Sequence, residues 1–356
     1  MPDNRNKLKG ILLGTALGDS LGLTFEGISA KDIPGHYSPP LEQSFIAGKG
    51  FTSDDTDHSY FVARSLFFSS DSSEKFASNL AWYLRLWILT APAGVGFATL
   101  RSSILLLLGF SPQKSGVFSA GNGPAMRSAI IGGFFSKNPE LRSEFVKTST
   151  VITHTDPRAL IGAKAVAELA ALFTEITDMQ LPPAHVIFEI LRNIDKNDSE
   201  WQSIIDKLTE AKENNLDVED FAKQLCGEKG ISGYTYQTVP MAIYSLIRHN
   251  SNFDNVIEHL IMCGGDTDTV CAISGALWGS LYGETMLPER HIKNLCEWPR
   301  TASIISKAAE ELSNLSENRS QAKSEISYFW PALPARNLVF LIFVFAHILR
   351  RLFKFW

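Results

Sequence analysis

The stretch FASNLAWYLRLWI, residues 76–88, places an apolar side chain at nearly every third or fourth position. This is the period of an α-helix, in which about 3.6 residues complete one turn. Alternation of apolar and polar residues, which is typical of half-buried strands, is nearly absent from the sequence. The helical spacing recurs in eight further segments: 7–17, 99–108, 157–173, 183–194, 201–211, 238–247, 254–262 and 267–282. The sequence therefore predicts an all-α protein, a compact bundle of ten or more helices.

The composition is that of a folded, soluble protein. The 356 residues are 45% hydrophobic and 20% charged, with a formal net charge of −5. This apolar content excludes a disordered chain, and the slight acidity argues against direct nucleic-acid binding. The four cysteines include no CxxC pair, so we expect reduced thiols in a cytoplasmic protein.

Composition divides the chain into three parts. Residues 1–312 carry the helical pattern, residues 313–328 are polar and small, and residues 329–356 are abruptly apolar and aromatic. We expect a catalytic or binding domain, a linker and a C-terminal apolar helix. Arg350, Arg351 and other cations near the end could reach the headgroups of a lipid bilayer. The tail is therefore a candidate membrane segment, and a terminal helix docked on the main domain is the alternative.

The segment TSDDTD, residues 52–57, puts three carboxylates and three hydroxyls into six residues. Such crowding is electrostatically unfavourable unless a cation neutralises it, and hard divalent ions prefer oxygen ligands. The alternative is a helix N-terminus, where one or two acidic side chains are stabilised by backbone N–H groups. An EF-hand is a poor fit, because Tyr60 stands where that loop needs glycine.

A second segment, GGDTDT at residues 264–269, repeats this chemistry about two hundred residues later. Two glycines allow a tight turn, and Asp266 then stands at or near the N-cap of a helix over 267–282. Either cluster alone could serve as a helix cap. Four of their five aspartates, which stand in similar sequence contexts, suit one shared site for two divalent cations.

Five glycine-rich or acidic motifs follow one another along the chain. They are GTALGDSLGLTFE at 14–26, SDDTD at 53–57, GNGPAMR at 121–127, THTDPRALIGA at 153–163 and GGDTDT at 264–269, which GALWGSLYG at 275–283 follows. With these motifs in this order, the sequence resembles the ADP-ribosylglycohydrolase family over about residues 8–297. The resemblance implies an all-α fold and a hydrolase that cleaves the glycosidic bond between ADP-ribose and a protein side chain or small-molecule acceptor.

The resemblance also implies a metal centre and the residues around it. Two divalent cations, Mg²⁺ or alternatively Mn²⁺, would be bound by Ser53, Asp54, Asp55, Asp266, Asp268 and Thr269. Glu26 and Asp55 would be the catalytic carboxylates, acting in proton transfer or in positioning the substrate. The substrate-binding residues would be Gly121, Asn122 and Gly123 at the diphosphate, His154 at the distal ribose or phosphate, and Gly230 and Tyr234 at the adenosine end. The expected partner is an ADP-ribosylated protein or small-molecule conjugate, and the expected state is a monomer.

One loop departs from the family pattern. Members that act on arginine-linked ADP-ribose commonly carry an aspartate in a Pro-x-Asp-Ile-Gly stretch, whereas this chain reads PAGVG at 92–96, with Gly94 in place of the carboxylate. This argues against arginine specificity and keeps open a non-catalytic ADP-ribose-binding or structural relative. The pattern GDSLG at 18–22 also fits the GxSxG elbow of serine hydrolases, but that elbow follows a strand, and residues 7–17 have helical spacing.

Overall fold

The computed structural model describes residues 4–317 and 323–353. These residues form seventeen α-helices and contain no β-sheet. Extended pairing within these residues is limited to isolated β-bridges. The helices are α1 Asn4–Gly22, α2 Asp54–Ser69, α3 Ser73–Ile88, α4 Phe97–Leu107, α5 Gly123–Met126, α6 Ala129–Phe134, α7 Pro139–Val151, α8 Pro157–Glu175, α9 Ala184–Ile194, α10 Ser199–Glu213, α11 Val218–Cys226, α12 Thr235–His249, α13 Phe253–Met262, α14 Thr267–Tyr282, α15 Glu289–Asn294, α16 Ala302–Glu317 and α17 Leu333–Phe353. The predicted all-α class is confirmed.

Residues 76–88 form most of α3, where the helical period places the apolar side chains on one side. Phe76, Leu80, Leu84 and Trp87 lie on its buried side and join the main hydrophobic core. Ser72 begins the helix as its N-cap, since its side chain accepts a hydrogen bond from the backbone N–H of Lys75. One apolar stripe and one cap thus define the helix.

Helices α1 and α14 form the centre of the fold and pack backbone against backbone. A Cβ atom added to Gly14 would lie 2.2 Å from the carbonyl oxygen of Gly275, and one added to Gly275 would lie 2.2 Å from that of Gly14. Only glycine permits this approach. The helices are antiparallel, because Gly10 faces Gly279 whereas Gly22 faces Thr267. The C-terminal end of α1 therefore lies beside the N-terminal end of α14.

The C-terminal helix α17 docks on the main domain along one face. Phe340, which is 2% exposed, packs with Leu23, Phe45 and Phe51 in a small second core. His347 contacts the backbone oxygen of Phe45 through Nε2 at 2.9 Å. The structure thus corresponds to the docked alternative, in which the helix covers part of the domain.

The segment before α17 differs from the expected linker. Helix α16 continues to Glu317, so residues 313–317 are helical, because Leu312 and Leu315 are buried on one side of this helix. Residues 323–329 have no regular secondary structure. Residues 318–322 of the predicted linker and 354–356 of the predicted tail lie outside the described residues.

Candidate functional site

Asp19 of α1 fixes the position of the first acidic segment. Its carboxylate is wholly buried and accepts hydrogen bonds from the backbone N–H of Ser53, with both oxygens at 2.9 Å. It also accepts bonds from the backbone N–H and the hydroxyl of Thr56, at 3.2 and 2.5 Å. Burial raises the pKa of Asp19 to about 7, although these hydrogen bonds oppose the shift. The N-terminus of α2 is therefore tied to the C-terminal half of α1.

A loop held on both sides positions the second acidic segment. Gly265 has a φ of +87°, and a Cβ added to it would lie 2.0 Å from the carbonyl oxygen of Ile231. Its N–H donates to the carbonyl of Ile28 at 2.8 Å, and the N–H of Asp266 donates to the carbonyl of Ile231 at 2.7 Å. Two neighbouring segments thus hold the start of α14, and glycine is required where they approach.

Asp266 occupies the N-cap position of α14 without acting as a side-chain cap. No backbone N–H of the helix donates to its carboxylate. Instead, Oδ2 of Asp266 accepts a hydrogen bond from Nδ2 of Asn122 at 2.6 Å. The capping alternative therefore does not account for this carboxylate.

The two acidic segments meet at Asp55. The hydroxyl of Thr269 donates to Oδ2 of Asp55 at 3.2 Å, across 214 positions of the chain. The hydroxyl of Ser53 donates to the same oxygen at 3.0 Å. The other oxygen, Oδ1, is buried and has no hydrogen-bond partner among the described residues. A buried carboxylate oxygen without a donor is costly unless a cation or proton satisfies it.

The carboxylates at this junction repel one another. The pKa values of Asp54, Asp55 and Asp268 are raised well above the usual range, first by burial and then by neighbouring carboxylates. Glu26, which is half-buried after α1, is one of the charges that act on Asp54 and Asp268. Carboxyl groups are therefore crowded where the helix ends converge, and their ionised forms need a counter-charge.

These observations fit a hard divalent cation held by oxygen ligands. Within residues 4–317 and 323–353, no group of three or more His, Cys, Asp and Glu side chains is arranged to hold an ion by itself. The four aspartates of the expected ligand set are therefore not arranged as an ion site by themselves. The set also includes the hydroxyls of Ser53 and Thr269, which lie against Asp55. The third carboxylate of the first cluster, Asp57, is engaged elsewhere, with Arg300 at 2.7 Å and with the indole N–H of Trp87 at 2.8 Å.

The glycine segment 121–123 lies against the second acidic segment. The backbone N–H of Asn122 donates to the carbonyl of Gly233 at 3.0 Å, and that of Gly121 donates to the hydroxyl of Ser119 at 3.3 Å. Two of the three amides expected to bind a diphosphate are thus engaged within the protein. The side chain of Asn122 meanwhile links Asp266 to Thr238. The anion-binding role of this segment stays a prediction.

His154 lies directly behind the glycine segment. A Cβ added to Gly121 would lie 2.9 Å from its Nε2 atom, and one added to Gly123 would lie 3.1 Å from Cε1. Burial and the positive charge of Arg127 lower the pKa of His154 to about 3, so the imidazole is neutral. Its Nδ1 atom contacts the hydroxyl of Thr153 at 2.9 Å. The imidazole therefore reaches the segment through its Nε2 edge.

The two residues expected at the adenosine end occupy different environments. Tyr234 is half-buried, and its hydroxyl donates a hydrogen bond to Glu200 at 2.7 Å. The centroid of its ring lies 5.6 Å from Cζ of Arg158. Gly230 is buried, with a φ of +90°, and packs on the backbone at Gly264. Tyr234 is thus placed to present an aromatic surface, whereas Gly230 supports the loop before α14.

Two supporting residues were not predicted from the sequence, namely Asp19 and Arg127. Arg127 is wholly buried and donates to the carbonyl of Ser149 at 2.9 Å, to the hydroxyl of Thr153 at 2.7 Å and to Nδ1 of His58 at 2.9 Å. Burial lowers the pKa of Arg127 to about 10, which leaves it charged at neutral pH. Both residues stand inside motifs that the sequence displays, so their position in those motifs was the available signal.

The fold and the site define an all-α protein whose acidic centre is assembled from two segments about two hundred residues apart in the chain. Residues 1–322 match the ADP-ribosylglycohydrolase family, and the chain belongs to that family. It is 29% identical to an uncharacterized protein of Archaeoglobus fulgidus, over 81% of this chain and 91% of that protein. It is 28% identical to the ADP-ribosylhydrolase ARH3 of Gallus gallus, over 79% of this chain and 87% of that protein.

A solved structure has the same fold. It is described as an ADP-ribosylglycohydrolase-related protein complex, and it matches with a TM-score of 0.67 at 22% identity, over 89% of this chain and 100% of that chain. The family match ends at residue 322, so α17 lies outside it. The family assignment therefore rests on the domain that contains the acidic centre.

Proposed function

We propose that this protein is a metal-dependent hydrolase that cleaves the glycosidic bond between ADP-ribose and a protein side chain or small-molecule acceptor. The observation that carries the proposal is the junction at Asp55, where both acidic segments meet and one buried oxygen has no partner among the described residues. Family membership supplies the reaction class. We further propose that the enzyme acts in the cytoplasm as a monomer.

The cation ligands in this proposal are Ser53, Asp54, Asp55, Asp266, Asp268 and Thr269. Two Mg²⁺ or Mn²⁺ ions, when bound, would offset the clustered negative charge and orient the hydroxyls of the substrate ribose. Asp19 holds the backbone of Ser53, and Asn122 holds the carboxylate of Asp266. Such outer contacts keep ligand oxygens in place and restrict their rotation.

Proton transfer in this proposal falls to carboxylates at the edge of the cluster. Cleavage at C1 of ribose passes through an oxocarbenium-like state, which nearby carboxylates stabilise. Glu26 is half-buried and close enough to Asp54 and Asp268 to raise their pKa values, so it can hold or move a proton beside the substrate. Gly94 is exposed in the loop after α3, with a φ of +78°, and offers no carboxylate. We therefore expect acceptors other than arginine.

The test mixes the full chain with three kinds of substrate. These are proteins that carry ADP-ribose on serine, proteins that carry it on arginine, and small-molecule conjugates of ADP-ribose. Free ADP-ribose is measured with Mg²⁺, with Mn²⁺ and with EDTA. We expect metal-dependent release by the wild type and loss of release in Asp54→Asn and Asp268→Asn. Asp71→Asn, at an exposed carboxylate, is the matched control and should retain activity. Binding of ADP-ribose without release would favour the non-catalytic alternative.

The outer face of α17 supports a second part of the proposal, contact with a membrane surface. The helix segment Trp330–Leu349 is long and apolar enough to cross a bilayer by length and composition. Its docked face nevertheless makes specific contacts with the domain, whereas Leu338, Ile342 and Phe345 are more than half exposed. We propose that these exposed side chains enter one leaflet while the helix stays docked and lies in the membrane plane.

A further inference from the structure

A buried ion pair joins the C-terminal helix to the first acidic segment. Arg336 of α17 donates from Nε to Oε1 of Glu297 at 2.8 Å and from Nη2 to Oε2 at 2.6 Å. The two side chains are 5% and 6% exposed. Such a two-point contact fixes the orientation of both groups.

The same pair holds every polar group of Thr52. The backbone N–H and the hydroxyl of Thr52 donate to Oε2 of Glu297 at 3.2 and 2.8 Å. Its carbonyl oxygen accepts a hydrogen bond from Nη2 of Arg336 at 2.6 Å. Thr52 directly precedes Ser53, whose N–H is held by Asp19 from the other side. The start of the ligand segment is thus clamped between two buried carboxylates, and Arg336 neutralises one of them.

We propose that Arg336 is a positioning residue for the acidic centre, acting through Glu297 and Thr52 on Ser53, Asp54 and Asp55. This inference rests on the proposed function, because it concerns how the ligand oxygens are held. A helix beyond the family match thereby becomes part of the site. The neighbouring Asn337 further attaches α17 to the domain, since its side chain donates to the carbonyl and the hydroxyl of Thr90 at 2.9 and 2.8 Å.

The chain provides a matched control for a purely structural role. Arg64 and Glu311 form a second buried pair, also 5% and 6% exposed, but Arg64 lies ten positions beyond Asp54 on α2 and makes its hydrogen bonds to Glu311 and Ser324. Loss of either arginine leaves a buried glutamate without its cation. Only loss of Arg336 also releases the carbonyl of Thr52.

The experiment measures Mn²⁺ binding to the full chain by electron paramagnetic resonance, and hydrogen exchange at the amides of Thr52 and Ser53. In Arg336→Ala, the Kd for Mn²⁺ should rise about tenfold, as is typical when a residue that supports a ligand is lost, and exchange should become faster. Both Arg336→Ala and Arg64→Ala should lower the thermal midpoint by a similar amount. The Kd for Mn²⁺ of Arg64→Ala should nevertheless stay within about twofold of the wild-type value. Arg336→Lys keeps a charge but cannot span both acceptors, so its Kd should rise about threefold.

A wild-type Kd in folded Arg336→Ala, or an equal loss of binding in Arg64→Ala, would overturn the positioning role. If Arg336→Ala does not fold, Arg336→Lys decides the question by the same two measurements. Failure of the wild type to bind Mn²⁺ would instead refute the proposed function, and the exchange rates at Thr52 and Ser53 would still show whether Arg336 holds the segment.

Discussion

Replacing Gly14 with alanine would test whether the central helix pair sets the geometry of the acidic centre. The added Cβ would lie 2.2 Å from the carbonyl oxygen of Gly275, and contacts under 3.0 Å are essentially never seen. Both sides of this contact are backbone, so no side chain can turn away. Helices α1 and α14 must separate locally by at least 0.8 Å, the difference between these two distances.

The expected loss of stability follows from two opposing effects. Overpacking a tight contact costs roughly 3 kcal/mol when no side chain can yield. Alanine recovers about 1 kcal/mol, because it favours the helix more than glycine does. We therefore expect a net loss of about 2 kcal/mol, or a thermal midpoint lower by about 3 °C for a chain of this length.

The assay is thermal unfolding of Gly14→Ala with and without Mg²⁺. Because Asp19 and Asp268 lie on the two separated helices, stabilisation by Mg²⁺ should also shrink. Gly35→Ala is the control, since a Cβ at Gly35 meets nothing within 4 Å. Its midpoint should equal or slightly exceed that of the wild type. A Gly14→Ala protein as stable as the wild type, with full stabilisation by Mg²⁺, would show that the contact between α1 and α14 does not set the geometry of the centre.

Three other predictions address the site and the tail. The pKa of His154 is lowered to about 3, so between pH 6.5 and 5 the unfolded chain gains a proton there that the folded chain does not. Urea unfolding should show that the wild type loses roughly 2 kcal/mol more stability over this pH range than His154→Gln does. Equal losses would contradict the lowered pKa of His154. Thr269→Val removes the hydroxyl that donates to Asp55, so half-maximal stabilisation should need about tenfold more Mg²⁺, whereas an unchanged requirement would exclude Thr269 from the ligand set. Ile342→Asp on the outer face of α17 should weaken binding to anionic vesicles about tenfold, while Met286→Asp, an exposed apolar position elsewhere, should not; equal binding by both variants would remove the membrane proposal.

The sequence predicts those features that depend on local pattern. The helix expected over 267–282 is α14, with the same bounds, because its glycine turn and apolar run mark both ends. The convergence of the two acidic segments could also be anticipated, since repeated aspartates need a common counter-charge. Motif order then sufficed to recognise the family.

Features set by tertiary packing could not be read in this way. A single aspartate in a helix is most often solvated, and only the docking of α2 on α1 shows that Asp19 is buried and accepts several hydrogen bonds. An apolar helix can pack against lipid or against protein, so the apolar residues of the tail do not show which of the two surrounds it. Arg336 and Asn337, two polar residues near the start of that helix, were the available sign of docking.

The long separation between Asp55 and Thr269 determines when the acidic centre can exist during synthesis. Ribosomes add about 5–20 residues per second, so the first aspartates emerge well before α14 has been translated. A nascent chain that stops before residue 267 lacks the donor hydroxyl of Thr269 and the helix against which α1 packs. Translation products that end before α14 would therefore lack the assembled centre, which forms only after this helix has been made.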